Sequence, residues 1–270
     1  MVVQHNLSAM NTNRQLGITT GQQAKSTEKL SSGYRINRAG DDAAGLTISE
    51  KMRSQIRGLN RASDNAQDGI SAIQVAEGAL NETHSILQRM NELATQASND
   101  TNTTIDRNAI QQEIDALTSE IDRIRSTTQF NTQNLIDGGF SSKNLQIGSL
   151  QGQGITISIS NMESSAIGVN SLSVSSFDSA GSAMQKIQSA IDIVSTQRSA
   201  LGALQNRLEH TIANLDNISE NTQAAESRIR DVDMADEMVN YSKNNILAQA
   251  GQSMLAQANQ STQGVLSILG

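Results

Sequence analysis

Apolar residues recur at helical spacing along most of the chain. Between about residue 42 and residue 98, one apolar row repeats every seven residues, and a companion row drifts by one position along the way. The drift matches a nearly straight helix of 3.6 residues per turn better than a strict coiled coil. Asp41 or Asp42 is the predicted N-cap. The main row consists of Leu59, Ala66, Ile73, Leu80, Leu87 and Ala94.

Two further stripes predict helices that pack against the first. A shorter stripe, with alternating spacings of four and three, runs from Ile110 to Thr128 after the polar turn at 99–104. A longer one begins near Asp178, its predicted cap, and continues to about Val232. Because the two long helices are nearly equal in length, they are predicted partners in one elongated bundle.

The pattern changes between residues 131 and 176. Ile155, Ile157 and Ile159 alternate with small polar residues, and a glycine-rich stretch at 148–154 precedes them. Alternation beside such a turn predicts a small β-hairpin region.

Both ends of the chain predict helices with a weak apolar pattern. The N-terminal stretch carries Val3, Leu7 and Met10, followed by a row of small residues, and the C-terminal stretch is built from small residues, Leu and Met. Such helices cannot bury much apolar surface alone, so we expect them to pair with each other and with copies of themselves. The predicted fold class is mainly α: an elongated antiparallel helical bundle or coiled coil with paired terminal helices and a small β-hairpin region.

Composition excludes several classes of function. The chain has no Cys and no Pro, and only 2% of its residues are aromatic. The absence of Cys excludes disulfides, zinc ribbons and thiol chemistry, and the absence of Pro suits long uninterrupted helices. A net charge of −7 argues against nucleic acid or an anionic membrane as partner. The N-terminus lacks the basic and apolar regions of a secretory signal, so Sec-type export is not expected.

Candidate catalytic residues are scattered. His5, His84 and His210 are far apart and form no HExxH motif, so neither an enzyme nor a metal or cofactor site is expected. The acidic pairs Asp41–Asp42 and Asp231–Asp233 are better explained as helix caps or solvated linkers than as metal ligands.

Long motifs at both ends resemble one family. Lys29–Leu46 resembles the N-terminal signature of bacterial flagellins, and three later segments resemble their C-terminal core. Those segments are Leu201–His210, Ala225–Ala235 and Ala256–Asn259. A hook–filament junction protein or another secreted helical rod is the alternative, and the matches at 206–208 and 225–228 favour flagellin.

The resemblance implies a filament subunit with two regions. Residues 1–41 (helix and linker) and 233–270 would form the inner tube, called D0, and residues 42–176 and 177–232 the outer tube, called D1. The family is exported through the channel of the flagellar secretion apparatus without a cleaved signal peptide, which implies an extracellular flagellum. The residues expected to drive polymerisation are Val3, Leu7, Met10, Leu247, Met254, Leu255, Val265 and Leu269.

The resemblance also implies partners. These are other copies of the chain, a flagellin secretion chaperone, hook-associated junction and cap proteins, and the innate immune receptor Toll-like receptor 5. The receptor residues matched here are Gln88, Arg89, Leu93 and Glu113. Because Arg89 and Leu93 are four residues apart, they are expected side by side on one helical face. The alternative is that these residues serve filament packing only.

Overall fold

The computed structural model describes the backbone of residues 6–269 and the side chains of residues 6–261. Helices make up most of it, as predicted. The helices are α1 (Leu7–Ser32), α2 (Ala43–Ala97), α3 (Thr104–Thr127), α4 (Phe177–Arg230) and α5 (Met234–Leu269). The strands are β1 (Gln129–Phe130), β2 (Gln133–Asn134), β3 (Lys143–Gln146) and β4 (Gly154–Ile157).

The chain divides into two compact units. Residues 1–54 and 221–270 make up the first, called here the terminal unit, and residues 55–220 make up the second, called the bundle unit. The two units divide inside α2 and α4, whereas the boundaries predicted at 41/42 and 232/233 lie in the α1–α2 and α4–α5 connections and stay a prediction. Among the described residues, no helix is both long and apolar enough to span a membrane.

The core of the bundle unit is formed by the predicted helical stripes. Every member of the main α2 row is buried, and so are the facing apolar residues of α3 and α4. The helices run antiparallel. Contacts between α2 and α4 join Thr95 to Met184, Glu77 to Arg198 and Ser63 to Asp216, and contacts between α2 and α3 join Arg89 to Glu113 and Ala97 to Arg107. The partners of the main α2 row include Ile110, Ile114, Ile121, Ile187, Val194, Leu201 and Leu208.

The predicted N-cap is correct for α2 and wrong for α4. Asp42 accepts a hydrogen bond from the Gly45 backbone N–H at 2.9 Å and so caps α2, as predicted. The predicted cap of α4, Asp178, is wrong, because it lies inside the first turn. The Ser176 hydroxyl, which accepts from the Ser179 N–H at 3.2 Å, takes that role instead.

Two antiparallel hairpins lie between α3 and α4. β3 and β4 form the predicted hairpin, with Leu145 opposite Ile155, and the inward-facing isoleucines join the core. The sequence did not indicate the shorter β1–β2 hairpin, in which Phe130 pairs with Gln133.

In the terminal unit, α1 and α5 pack antiparallel along their lengths. The Asn6 side-chain amide donates to the Ala258 carbonyl at 2.9 Å, and the Lys29 ammonium lies 3.9 Å from the Glu237 carboxylate. The prediction that the two ends pair with each other is confirmed for the residues described here.

A cluster around Arg230 joins the neighbouring connections of the same unit. Its guanidinium lies over the Tyr34 ring, 4.7 Å from the centroid, and its Nη1 is 2.9 Å from Glu50 Oε1. The Arg35 N–H donates to the Arg230 carbonyl, and the Val232 N–H donates to the Gly33 carbonyl. These contacts tie the end of α1 to the end of α4 and the start of α2.

Candidate assembly and receptor surfaces

The contact between α1 and α5 is made largely of small and polar side chains. Thr19 on α1 is only 8% exposed, and Ser26, Asn244 and Ala248 are also buried. The Leu16 side chain lies against Gly251, where an added Cβ would sit only 3.2 Å from it. The residues that are not exposed are Ala9, Thr12, Leu16, Thr19, Gln23, Ser26, Glu28, Lys29 and Leu30 on α1, and Glu237, Asn240, Tyr241, Asn244, Asn245, Ala248, Gly251, Leu255 and Ala258 among the described side chains of α5.

Large apolar side chains of the same helices point to solvent. Leu7 and Val239, for example, are 70% and 68% exposed. Val239 and Ile246 are seven residues apart and so share one face of α5, turned away from the row that meets α1. This outer apolar set consists of Leu7, Met10, Ile18, Met234, Met238, Val239, Ile246, Leu247 and Met254.

The predicted polymerisation residues divide between these two environments. Leu7, Met10, Leu247 and Met254 belong to the outer apolar set. Leu255 is half-buried in the row that meets α1, so it is not part of that exposed set. Val3 lies outside the described residues, and the side chains of Val265 and Leu269 lie outside those described.

The structure also shows surface residues that the sequence analysis missed. Ile18, Val239 and Ile246 were not selected, although each is large, apolar and exposed. A signal was present in the seven-residue spacing of Val239 and Ile246. It was missed because a row of Leu and Met was assigned to the interface, whereas the residues of α1 and α5 that are buried in their contact are mainly small or polar, with exceptions such as Leu16 and Leu255.

Three of the four predicted receptor residues lie at the surface of the bundle unit. Gln88 and Arg89 on α2 and Glu113 on α3 are exposed. Arg89 bridges the two helices, with its Nη2 3.0 Å from Glu113 Oε1 and its Nη1 3.1 Å from Glu92 Oε2. Hydrogen bonds to Glu92 and Glu113 raise the pKa of the Arg89 guanidinium above its ordinary value. The site is therefore a charged patch fixed across two helices.

Leu93 does not belong to this surface. It is 2% exposed and lies in the core of the bundle unit. The expectation that it is presented beside Arg89 is wrong. A step of four residues turns a helix by about 40°, and that rotation carries Leu93 from the solvent side to the core side of α2.

One member of each acidic pair caps a helix: Asp42 caps α2 and Asp233 caps α5. Asp41 lies in the α1–α2 connection, where its Oδ2 accepts from the backbone N–H groups of Arg38 and Asn37 at 3.0 and 3.2 Å, and these hydrogen bonds lower the pKa of its carboxyl. Asp233 Oδ1 accepts from the Ala235 N–H at 2.9 Å at the start of α5. No group of three potential metal ligands occurs among the side chains that the structure describes.

Comparison of the chain with known proteins shows the family to which it belongs. Residues 3–141 match the bacterial flagellin N-terminal helical region, and residues 184–269 match the bacterial flagellin C-terminal helical region. The chain is 57% identical to a flagellin of Halalkalibacterium halodurans and 52% identical to one of Bacillus subtilis strain 168, each alignment covering both chains completely. It is 51% identical to a flagellar filament 31.3 kDa core protein of Treponema maltophilum, again over both full lengths.

Solved structures agree with this assignment. The crystal structure of Bacillus cereus flagellin superposes with a TM-score of 0.50 at 28% identity, covering 56% of this chain and 88% of that one. A putative flagellar hook-associated protein from Vibrio parahaemolyticus shares the fold at 13% identity, with a TM-score of 0.59 over 71% of this chain and all of that one. The chain therefore belongs to the bacterial flagellin family and is a structural subunit of the flagellar filament, not an enzyme.

Proposed function

We propose that the outer apolar set of α1 and α5 is the surface through which copies of the chain associate in the inner tube of the filament. In this arrangement residues 1–41 and 233–270 form D0, and residues 42–232 form D1 in the outer tube. One observation carries the proposal: the most buried side chains of α1 and α5 are Thr19, Ser26, Asn244 and Ala248, whereas the nine large apolar residues of the outer apolar set are exposed.

This distribution is the reverse of what an isolated helix pair needs. Apolar burial stabilises by about 25 cal/mol per Å², so a pair selected to stand alone would place Val239 and Ile246 in its own contact. A contiguous exposed apolar surface is typical of an interaction site. Because flagellin subunits form a homopolymer, other copies of α1 and α5 are the partners that best explain the arrangement.

Polymerisation of surface variants tests the proposal. We expect Val239→Asp and Ile246→Asp to abolish seeded elongation of filaments, because each places a carboxylate in an apolar contact. The matched control Ile246→Val keeps the side chain apolar and should still polymerise. Circular dichroism of each monomer checks that the helices are retained. Normal filaments from both Asp variants would reject the assembly surface.

Before export, the same exposed apolar surface would promote aggregation unless another protein binds it. We propose that a flagellin secretion chaperone binds the exposed side of α5, where Leu247 and Met254 border a groove of about 430 Å³ beside Leu16 and Thr19 of α1. The double variant Leu247→Asp/Met254→Asp should weaken chaperone binding about tenfold or more, measured by calorimetry. Leu255 is left unchanged because it packs in the α1–α5 contact. Unchanged affinity would place the chaperone elsewhere.

The charged patch of the bundle unit is the proposed receptor site. Arg89 has an exposed guanidinium held by two carboxylates, and arginines fixed in this way are common at interface hot spots. Toll-like receptor 5 would bind Gln88, Arg89 and Glu113 on the monomer. Leu93 would act indirectly, by packing α2 against the core of the bundle unit.

A binding measurement with the monomer tests the receptor proposal. Arg89→Ala should lower receptor affinity about tenfold or more, equivalent to about 1.4 kcal/mol. Arg61→Ala, which removes another exposed arginine with an acidic neighbour three residues away on α2, is the matched control and should bind as the parent does. Equal binding of Arg89→Ala and the parent would remove the receptor site while leaving the filament function unaffected.

The remaining partners follow from the same family assignment. We propose that the subunit passes unfolded through the flagellar secretion channel and meets junction and cap proteins at the two filament ends. The route is tested in cells in which Sec-dependent secretion is inhibited. The full chain should still appear in the culture medium.

A further inference from the structure

The methionines of the described chain occupy two different environments. Met10 and Met254 are 64% and 63% exposed, and Met234 and Met238 are exposed as well. Met90 and Met162, in the bundle unit, are 0% and 1% exposed. All four exposed methionines therefore belong to the terminal unit and to its outer apolar set.

The remaining described methionines are shielded. Met52 and Met184 are half-buried. The Met184 sulfur also accepts a hydrogen bond from the Thr95 hydroxyl at 3.4 Å, which occupies one of its lone pairs. A solvent-borne reagent that attacks thioethers thus meets open sulfurs at the four exposed positions and shielded ones at the other described methionines.

We propose that the exposed methionines, Met10, Met234, Met238 and Met254, are oxidation sites through which hydrogen peroxide or a related two-electron oxidant blocks assembly of the free subunit. A sulfur lone pair attacks one peroxide oxygen, the S–O bond forms and the O–O bond breaks. Proton transfer to the departing hydroxide gives water. The sulfur is oxidised by two electrons, and the peroxide is reduced.

The product changes the chemistry of the assembly surface. A flexible apolar thioether becomes a polar, chiral sulfoxide. Buried against an apolar neighbour, the sulfoxide oxygen loses its hydrogen bonds to water and gains no donor in return. Oxidation of the free subunit should therefore disfavour its addition to the filament, while the helices themselves, whose mutual contact holds small polar residues, remain paired.

This inference rests on the proposed assembly function, because sulfoxides at a surface with no partner would have no effect on polymerisation. It goes further in assigning a chemical regulation to that surface. It also implies a direction: the same methionines are reactive in the free subunit and protected once neighbouring copies cover them.

The first measurement is site-resolved oxidation of the full-length monomer. After a short peroxide treatment quenched with catalase, peptide mass spectrometry gives the rate at each methionine. The exposed methionines should react about tenfold or more faster than Met90 and Met162, and the same residues should be protected in filaments. Equal rates at exposed and buried positions would overturn the site assignment.

The second measurement is seeded elongation by the oxidised monomer. We expect a loss of about tenfold or more in elongation rate, with recovery after treatment by the two methionine sulfoxide reductases that act on the two sulfoxide epimers. A variant with all four exposed methionines replaced by Leu keeps the surface apolar and should elongate equally with and without peroxide. The control variant Met52→Leu/Met184→Leu should remain as sensitive as the parent.

The outcomes separate the two proposals. Selective oxidation without loss of elongation would overturn the inference, and so would peroxide sensitivity that persists in the four-Leu variant. Failure of the untreated chain to elongate from seeds would instead contradict the proposed assembly function. The oxidation rates, which need no polymer, would still show whether the four sulfurs are the reactive ones.

Discussion

At the scale of single residues, Thr132 has a backbone conformation that β-branched residues rarely adopt. Asn131 and Thr132 connect β1 to β2, with φ values of 47° and 63°. A two-residue hairpin connection of this kind needs positive φ at both positions, where Asn and Gly are favoured. Asn131 meets the requirement, whereas the branched side chain of Thr132 is strained there.

Thr132→Gly should therefore stabilise the protein. Relief of left-handed strain is worth about 1–2 kcal/mol, and the greater freedom of Gly in the unfolded chain offsets part of it. We predict a net rise of about 0.5–1 kcal/mol in the free energy of unfolding, measured with urea. Gln129→Gly in β1, where φ is negative, is the control and should destabilise. A Thr132→Gly variant no more stable than the parent would contradict the strain argument.

Arg230 is the other residue whose contribution can be isolated. Its side chain is 15% exposed, carries the ion pair with Glu50 and lies over Tyr34. Arg230→Met should lower the free energy of unfolding by about 1–2 kcal/mol, since water partly solvates the half-exposed Glu50 left behind. Arg228→Met, two residues away and exposed, should change it by less than about 0.5 kcal/mol. Equal effects of the two substitutions in urea denaturation would show that the cluster adds no stability.

At the scale of the helices, α2 depends on residues such as Leu93 that the bundle core encloses. Leu93→Ala should lower the free energy of unfolding by about 2–5 kcal/mol, because it leaves a cavity as well as removing apolar burial. Val75→Ala, on an exposed position of the same helix, should cost less than about 0.5 kcal/mol. A small effect of Leu93→Ala in thermal or urea unfolding would argue that the residue lies at the surface after all.

The start of α3 should contribute to acid sensitivity. Thr103 donates through its hydroxyl and its backbone N–H to Asp106 Oδ2, at 2.7 and 2.9 Å, and these hydrogen bonds lower the pKa of Asp106 below its ordinary 3.8. A carboxyl whose pKa is lowered in the folded state stabilises the protein at pH values above its ordinary pKa. That stabilisation is lost as the pH falls through the folded-state pKa.

Asp106→Asn should consequently reduce the acid dependence of stability. The variant should unfold at a lower temperature than the parent near neutral pH and approach it as pH falls below 3.8, the ordinary pKa of the carboxyl. Circular dichroism melts across that range give the comparison. A constant difference between variant and parent at every pH would exclude Asp106 as a source of the acid dependence.

The helices and the larger hairpin could be predicted from the sequence because burial there follows a repeating pattern. The row from Leu59 to Ala94 is buried throughout, and the alternating isoleucines of β4 face the core. The β1–β2 hairpin was missed because Asn131–Thr132 is a weak turn signal without Gly. The cap at Ser176 was missed because neighbouring serines and Asp178 are all acceptable caps by residue type.

The terminal helices show where periodicity alone is insufficient. An apolar row normally marks the buried face of a helix. On that basis Leu255 and Met254 were both predicted to be polymerisation residues. In α5 the buried row contains Asn244, Ala248 and Gly251, and apolar residues lie on both sides of it. The choice between two possible faces depends on the partner, which a single-chain pattern does not specify.

At the scale of the whole molecule, charge and exposed apolar surface are distributed differently between the two units. Acidic residues outnumber basic ones within 55–220, whereas the rest of the chain is nearly balanced. Among the described helices, α1 and α5 are those whose large apolar side chains concentrate on the exposed side. Apolar association in a polymer is thus expected to centre on the terminal unit, where like-charge repulsion is weakest.

A cryo-EM map of the polymer, at a resolution that shows side chains, reveals directly whether copies of the chain associate through the outer apolar set. We expect Leu7, Val239 and Ile246 to contact α1 or α5 of neighbouring copies, while the small polar row around Thr19 and Asn244 stays within each subunit. A map in which these apolar side chains face open solvent, and all contacts between copies come from residues 55–220, would contradict that expectation.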